Sequence, residues 1–464
     1  MTRDFVASSS ELASVTRGVL SGNWTEGRRG STPYAYTRPS PGRYPWQWYW
    51  DSCFAAIVWR RFAPERSRAE LESLLRARRD DGFVGHTIFW DHPVSLTRRL
   101  FYNVESSRAP MTSTIQPPLL AWAWRIAVGD PATEPAIVAH HRWLQDNRDL
   151  EGDGLLWLVQ PDESGLDSSP KFDPVWGWRA HARVGFPLLV ARNRRFDWDA
   201  HRVRDAGGPV LCEVVTNVLW GLSRLAMGEP SITPALVDRL WDERLGMFCD
   251  EAQGTRFGGG VGAGGRDGGG EAGHEGLVSG GGAGHGGAPA DSPGGETAAE
   301  HPDVRSGGVS GGEGRFGVMR PAIETWAALA PLALPDLPEA IGHRLVEEHL
   351  LDPGRFWLPV PPPSVSAAES SFEPGRGRGW VRRYWRGPTW VNAAWLLWIG
   401  MTRLGYREQA AWMARTIAEV IGREGLREYY HPLSGAGLGA TDFAWTALAV
   451  EMAHPDPAAA RSYL

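Results

Sequence analysis

The chain has 464 residues, 42% of them hydrophobic and 22% charged, and carries a formal net charge of -6. That is enough apolar material for a large buried core, arranged as one big catalytic domain or two to three ordinary ones. The mild acidity argues against nucleic acid or an anionic membrane surface as a partner.

In chain order, the pattern is one of alternating helix types. A helix is expected over 11–20, then a strongly apolar one starting near Trp48. Amphipathic helices over 67–80, 133–149 and 231–241 alternate with apolar helices starting near Thr112 and Cys212. Residues 258–314 are mostly Gly with scattered Ala, Ser, His, Asp and Glu. Such a stretch has little to bury and a high ordering entropy, so it reads as a disordered insertion in a surface loop. Beyond it come apolar helices starting near Ile323, Thr389 and Asp442, alternating with amphipathic ones over 336–349 and 406–424. Between helices a theme recurs of a Gly-containing turn, an aromatic or aliphatic stretch and a polar loop, as in GDGLLWLVQPDES (152–164) and REGLREYYHP (423–432).

Helices apolar nearly all round belong inside, and helices with one apolar stripe belong outside. Six of each fit an inner and an outer ring, an all-α toroid made of residues 1–464 as a single catalytic domain. An irregular helical domain or an open solenoid is the alternative, and the count of six favours closure. In a toroid the loops at one rim converge on a central crevice, and chemistry is sought there.

Two loops carry carboxylates suited to that place. The segment PDESGLDSSPKFDP (161–174) holds Asp162, Glu163, Asp167 and Asp173, flanked by Trp157, Trp176 and Trp178. A carboxylate among aromatic faces is partly desolvated, which raises its pKa as a general acid near neutral pH requires. Composition does not choose among the four. In LREYYHPLSGAGLGATDFAWTAL (426–448), Glu428 stands beside Tyr429 and Tyr430 before an apolar helix, and Asp442 reads as that helix's N-cap.

Aromatic clusters accompany them. RYPWQWYWDSCF (43–54) brings Tyr44, Trp46, Trp48, Trp50 and Asp51 to one helix entrance. RRYWRGPTWVNAAW (382–395) brings Tyr384, Trp385 and Trp390, with Arg386 and Asn392 as further donors. Gln116, just before Pro117 and Pro118, offers an amide to a pair of hydroxyls. Tryptophan is abundant, with 24 in the chain, and its broad apolar face with one N–H donor suits the C–H face of a sugar ring as well as it suits a helical core.

Other chemistries find less support. Cys53, Cys212 and Cys249 are too widely spaced for a metal motif or a disulfide framework and read as buried thiols in a reducing cytoplasm. No HExxH helix, zinc-spaced His/Cys cluster or GxSxG elbow occurs. The opening MTRDFVASSS lacks a signal-like apolar stretch, and no apolar run reaches the roughly 18 residues of a membrane span.

The ordered motifs WQWYWDSCF, TSTIQPP, ESGLDSSP, YWRGPTWVNAAWLL and EYYHPLSGAGLGATDFAWTA resemble the bacterial branch of glycoside hydrolase family 63, the mannosylglycerate and glucosylglycerate hydrolases. More distantly they are similar to trehalases and processing α-glucosidases. The resemblance covers nearly the whole chain outside the Gly-rich stretch. It implies an (α/α)6 barrel that hydrolyses an α-glucoside or α-mannoside with inversion and needs no metal or organic cofactor. It implies Asp167 as the general acid and Glu428 as the general base. Tyr384, Trp385 and Trp390 are implied to line the sugar subsite, with Tyr44, Trp48, Asp51 and Gln116 at further substrate contacts. The expected partner is a small glycoside or oligosaccharide, with a homo-oligomer compatible with the sequence. Set against this are a trehalase or α-glucan hydrolase, a sugar epimerase on the same toroid and a non-catalytic carbohydrate binder. An epimerase favours paired His at the rim, and a binder would dispense with one carboxylate; the rim loops here offer carboxylates in both places.

Overall fold

The computed structural model describes residues 9–91, 95–96, 103–105, 109–177, 185–254, 317–375 and 384–453. The Gly-rich stretch and Trp178 lie outside the described residues.

The inner helices form where the sequence has no polar face to give to water. In α2, Tyr49–Trp59, all eleven residues are buried, including Asp51 and Ser52. The outer helices keep one apolar stripe. In α3, Pro64–Ala77, Leu71, Leu74 and Leu75 turn inward while the arginines and most glutamates face out. Pro64 opens α3 at its first turn, where a missing N–H leaves no intrahelical bond unmade. The remaining outer helices are α1 (Ser9–Asn23), α5 (Pro135–Arg148), α7 (Thr233–Leu240), α8 (Glu339–Arg344, continued by a π turn) and α10 (Arg407–Glu424).

Inward of these lie α2, α4 (Leu120–Ala127), α6 (Val214–Ala226), a 3₁₀ segment Trp326–Ala333, α9 (Val391–Arg403) and a 3₁₀ segment Ala444–Leu448 that runs into Ala449–Met452. Each inner element packs on the next, and the last returns to α2, so the ring is closed. This is an (α/α)6 toroid, as the alternation of helix types predicts.

An ionic clamp fastens the seam of the ring. Glu451, fully buried in the last inner element, accepts from Arg60 Nη2 at 2.7 Å and Arg61 Nη2 at 2.8 Å, both just past the end of α2.

Three details differ from the sequence expectation. The second inner helix begins at Leu120 rather than near Thr112, because Pro117 and Pro118 lack N–H donors and hold the chain extended. Two inner elements are 3₁₀ rather than α; one of them contains Pro331. Asp442 is not an N-cap: Phe443 holds that position with no side-chain cap, and Asp442 instead takes a left-handed φ of 51° while its carbonyl accepts from Asn23 Nδ2 at 2.7 Å.

Short strands decorate the rim. Gln47–Trp48, Thr87–Ile88, Pro110–Thr112 and Asn103–Glu105 make one four-stranded sheet in that order. Gly317–Met319, Glu251–Gly254, Val210–Cys212 and Trp157–Leu158 make another. These ladders brace the connections between outer and inner helices. Among the described residues no helix is long and apolar enough to cross a membrane.

Glu451→Gln is expected to lower the stability of the folded chain by about 2 kcal/mol, the scale of hydrogen bonds to a charged group. Thermal unfolding followed by circular dichroism checks this; an unchanged melting temperature would remove the clamp from the account.

Candidate active site

Glu428 sits on the strand Arg427–Tyr430, which pairs antiparallel with Gly437–Thr441. The ladder slips register between Arg427 and Tyr429, a bulge that takes Glu428 out of the regular pairing. Bulges re-aim side chains in this way. The carboxylate is fully buried. Its Oε1 accepts from the phenol of Tyr44 at 2.9 Å and from the phenol of Tyr384. Its Oε2 accepts from the backbone N–H of Ala440 at 2.8 Å, and the guanidinium of Arg43 lies 3.5 Å away. Gly439, at φ 71°, passes so close that a Cβ there would stand 2.4 Å from Oε2. The carboxylate is thus removed from water and fixed by two phenols, a backbone N–H and a nearby guanidinium.

Burial and the neighbouring Glu428 charge push the Tyr384 phenol well above its usual value, so it stays a hydrogen-bond donor. Asp51 in the first turn of α2 is buried in the same crevice. Burial first, then the charges of Glu428 and Glu70, raise its carboxyl well above the usual range.

Aromatic rings wall the site. Trp385 stacks flat on Trp390, centroids 3.9 Å apart at 8°, and Trp326 stacks on the other side of Trp385 at 6.0 Å. Tyr384 and Trp445 meet Trp390 edge-on, and Trp48 meets Tyr44 edge-on at 5.8 Å. Among the described residues, the indole N–H of Trp48, Trp326, Trp385 and Trp390 and both amide atoms of Asn392 are buried without a hydrogen-bond partner. Each such group costs about 1–3 kcal/mol unless something satisfies it.

The acid-rich loop sorts its own carboxylates. Glu163 is fully buried and held by both guanidinium ends of Arg148, at 2.7 and 2.9 Å, and by the N–H groups of Val159 and Ile115. Asp173 accepts from Arg386 at 2.6 and 2.7 Å. Asp162 accepts from Gln160 at 2.6 Å, and burial, with the charges of Asp167 and Glu163 nearby, keeps its carboxyl well above the usual range. Asp167 is half-buried, on the turn between two 3₁₀ segments, Pro161–Ser164 and Pro170–Phe172.

Trp50 ties the two loops together. Its ring lies against Gly165, where a Cβ would come within 2.6 Å, and meets Trp445 edge-on at 5.5 Å. Trp445 in turn donates to the backbone carbonyl of Glu428 at 3.2 Å. One ring thus touches the backbone two residues before Asp167 and the indole that holds the Glu428 strand.

Gln116 has a different place from a free amide facing hydroxyls. Its Oε1 accepts from the N–H of Trp50 at 2.9 Å, and its Nε2 donates to His86 Nε2 at 2.8 Å. Because Trp50 fixes the amide orientation, His86 must present a lone pair at Nε2. Gln116 therefore holds the start of α2, with one N–H left over. Arg386, read from sequence as a site donor, is engaged by Asp173. Arg43, His86, Ala440 and the Arg148–Glu163 pair are site components that the sequence does not announce, since each depends on a partner distant along the chain.

The model of the mannosylglycerate hydrolase MGH1-like glycoside hydrolase domain matches residues 44–220 and 225–446. The chain belongs to this family. It is a glycoside hydrolase. Mannosylglycerate hydrolase of Thermus thermophilus is 27% identical over 89% of this chain and 95% of its own length. Mannosylglycerate hydrolase of Rubrobacter radiotolerans is 28% identical over 94% and 95%. Glucosylglycerate hydrolase of Mycolicibacterium hassiacum is 27% identical over 91% and 94%. The fold is similar to the solved structure of the family 63 mannosylglycerate hydrolase of Thermus thermophilus in complex with glucose, with a TM-score of 0.66 at 24% identity over 95% of this chain and 99% of that one. In this MGH1-like hydrolase, both matched stretches carry candidate site residues, Asp167 in the first and Glu428 in the second.

Tyr384→Phe removes one of two phenols on Glu428 and should lower kcat/KM by about 10- to 100-fold, as loss of a hydrogen bond to a charged group predicts. Steady-state kinetics on any glycoside the enzyme cleaves will read this, and wild-type values would remove Tyr384 from the machinery.

Proposed function

We propose that the enzyme, with the whole chain as one catalytic domain, cleaves the α-glycosidic bond of a small anionic glycoside, a mannosylglycerate or a glucosylglycerate, with inversion at the anomeric carbon. The observation that carries the mechanism is the buried Glu428 carboxylate, held by two phenols, a backbone N–H and an arginine beside a wall of tryptophans. The substrate class rests on the relatives that span nearly the whole chain.

In this reading Glu428 is the general base. It takes a proton from a water that attacks the anomeric carbon. Asp167, on the loop across Trp50, gives its proton to the glycosidic oxygen as that bond breaks. The new C–O bond forms on the face opposite the leaving hydroxyl, and exchange with solvent returns the proton from Glu428 and reprotonates Asp167. The fully buried Trp385–Trp390 stack backs the sugar subsite and holds Tyr384 edge-on against Trp390. Tyr44, Trp48 and Asp51 complete that subsite, and Gln116 orders the helix start from which Asp51 projects. Tyr44 and Tyr384 orient the base.

Asp167→Asn and Glu428→Gln should each lower kcat by at least about 100-fold, the usual worth of a positioned acid or base. A product screen over mannosylglycerate, glucosylglycerate, trehalose and short α-glucans identifies the substrate. Proton NMR of the first-formed sugar should show the β anomer; an initial α anomer would overturn inversion.

A further inference from the structure

Lys171 is the sole lysine of the chain; the other 47 of its 48 lysine and arginine residues are arginine. It stands four residues after Asp167. It is only 3% exposed, and its ammonium lies between two buried carboxylates, Glu213 and Asp250. The contact to Asp250 is 3.2 Å. Glu213 is the N-cap of the inner helix α6 and accepts from Thr216 N–H at 2.6 Å. Asp250 accepts from Val214 N–H at 3.0 Å. The lysine thus binds the loop after Asp167 to the rim end of an inner helix. Burial alone would discharge the ammonium, but Asp250 and Glu213 more than offset this and keep it protonated.

Four residues before Asp167 stands the counterpart, Glu163, locked to the equally buried Arg148. Between the two anchors the backbone is bent away from ordinary conformations: Gly165 has φ 71° and Ser168, which is not glycine, has φ 64°. A non-glycine residue in that region costs on the order of 1–2 kcal/mol and persists where its surroundings impose it.

We propose that Lys171 is a positioning residue of the general acid, one of two buried ionic anchors, of opposite sign, that hold the Asp167 turn in its bent form. A lysine is required because a compact ammonium fits between two carboxylates, whereas a planar guanidinium would bring five N–H groups needing acceptors into the same buried space. The proposal rests on Asp167 being the acid, and the test separates the two.

Kinetics are measured on the full-length enzyme with a glycoside it cleaves and with the α-glycosyl fluoride of the same sugar, whose leaving group departs without a proton. Asp167→Asn and Lys171→Met are both expected to lose about 100-fold or more in kcat on the glycoside, the scale of a lost general acid, while keeping most of their turnover of the fluoride. Lys171→Arg should not restore the glycoside rate. If Asp167→Asn shows no such split, the acid assignment fails. If it shows the split and Lys171→Met does not, through equal losses on both substrates or through wild-type rates, the anchor is overturned. Should Lys171→Met fail to fold, Asp250→Asn serves in its place: it keeps the lysine paired with Glu213 and is expected to show the same split in weaker form, and equal effects on both substrates would overturn the proposal.

Discussion

The inner helices have no face to offer to water, and the rest of the structure follows from that constraint. Tyr49–Trp59 is buried at every position, and Val391–Met401 of α9 is buried throughout. Segments of this kind bury themselves only against one another and against an outer layer. Six of them solve the problem by closing a ring, and the clamp of Glu451 on Arg60 and Arg61 fastens the last inner element to the first at the seam. Closure then decides where the polar chain goes. Every outer helix hands over to its inner partner through a rim connection, so Asp167 and Glu428, 261 residues apart in the chain, are both delivered to the same rim.

That rim is an unusual solvent for charge. Glu163, Glu213, Glu428, Arg148 and Lys171 are all essentially buried. A buried ion is tolerated when it is paired and hydrogen-bonded. Here each is, and the pairs differ in kind. Arg148 with Glu163 and Lys171 with its two carboxylates are closed arrangements that fix backbone. Glu428 is held by two phenols and a backbone N–H, with the Arg43 guanidinium 3.5 Å away. The distinction matches the roles proposed for them, anchors for the loop on one side and the general base on the other.

Much of this was legible in the sequence, and the parts that were not share a cause. Helix type was readable because it depends on local periodicity, and the outer helices lie within a few residues of the expected windows. The 3₁₀ form of Trp326–Ala333, which contains Pro331, and the late start at Leu120, after Pro117 and Pro118, turn on prolines that a reading by periodicity passes over. The bulge at Glu428 was hidden because register belongs to the pair of strands rather than to either one. The four acids of the 161–174 loop looked alike because their partners, Arg148 and Arg386 among them, come from other elements. Lys171 was the reverse case: its rarity was visible in the composition, but its meaning needed Glu213 and Asp250 beside it.

The antiparallel ladder that joins Glu251–Gly254 to Gly317–Met319, with Ala252 opposite Met319 and Gly254 opposite Gly317, bears on how this scaffold can change. It brings the two sides of the long connection to strand spacing within a sheet that also holds Val210–Cys212. Closing a connection between ends already held costs only a logarithm of its length. The length of chain between these two strands should therefore weigh little on the ring, because the ladder rather than the connection holds its ends together.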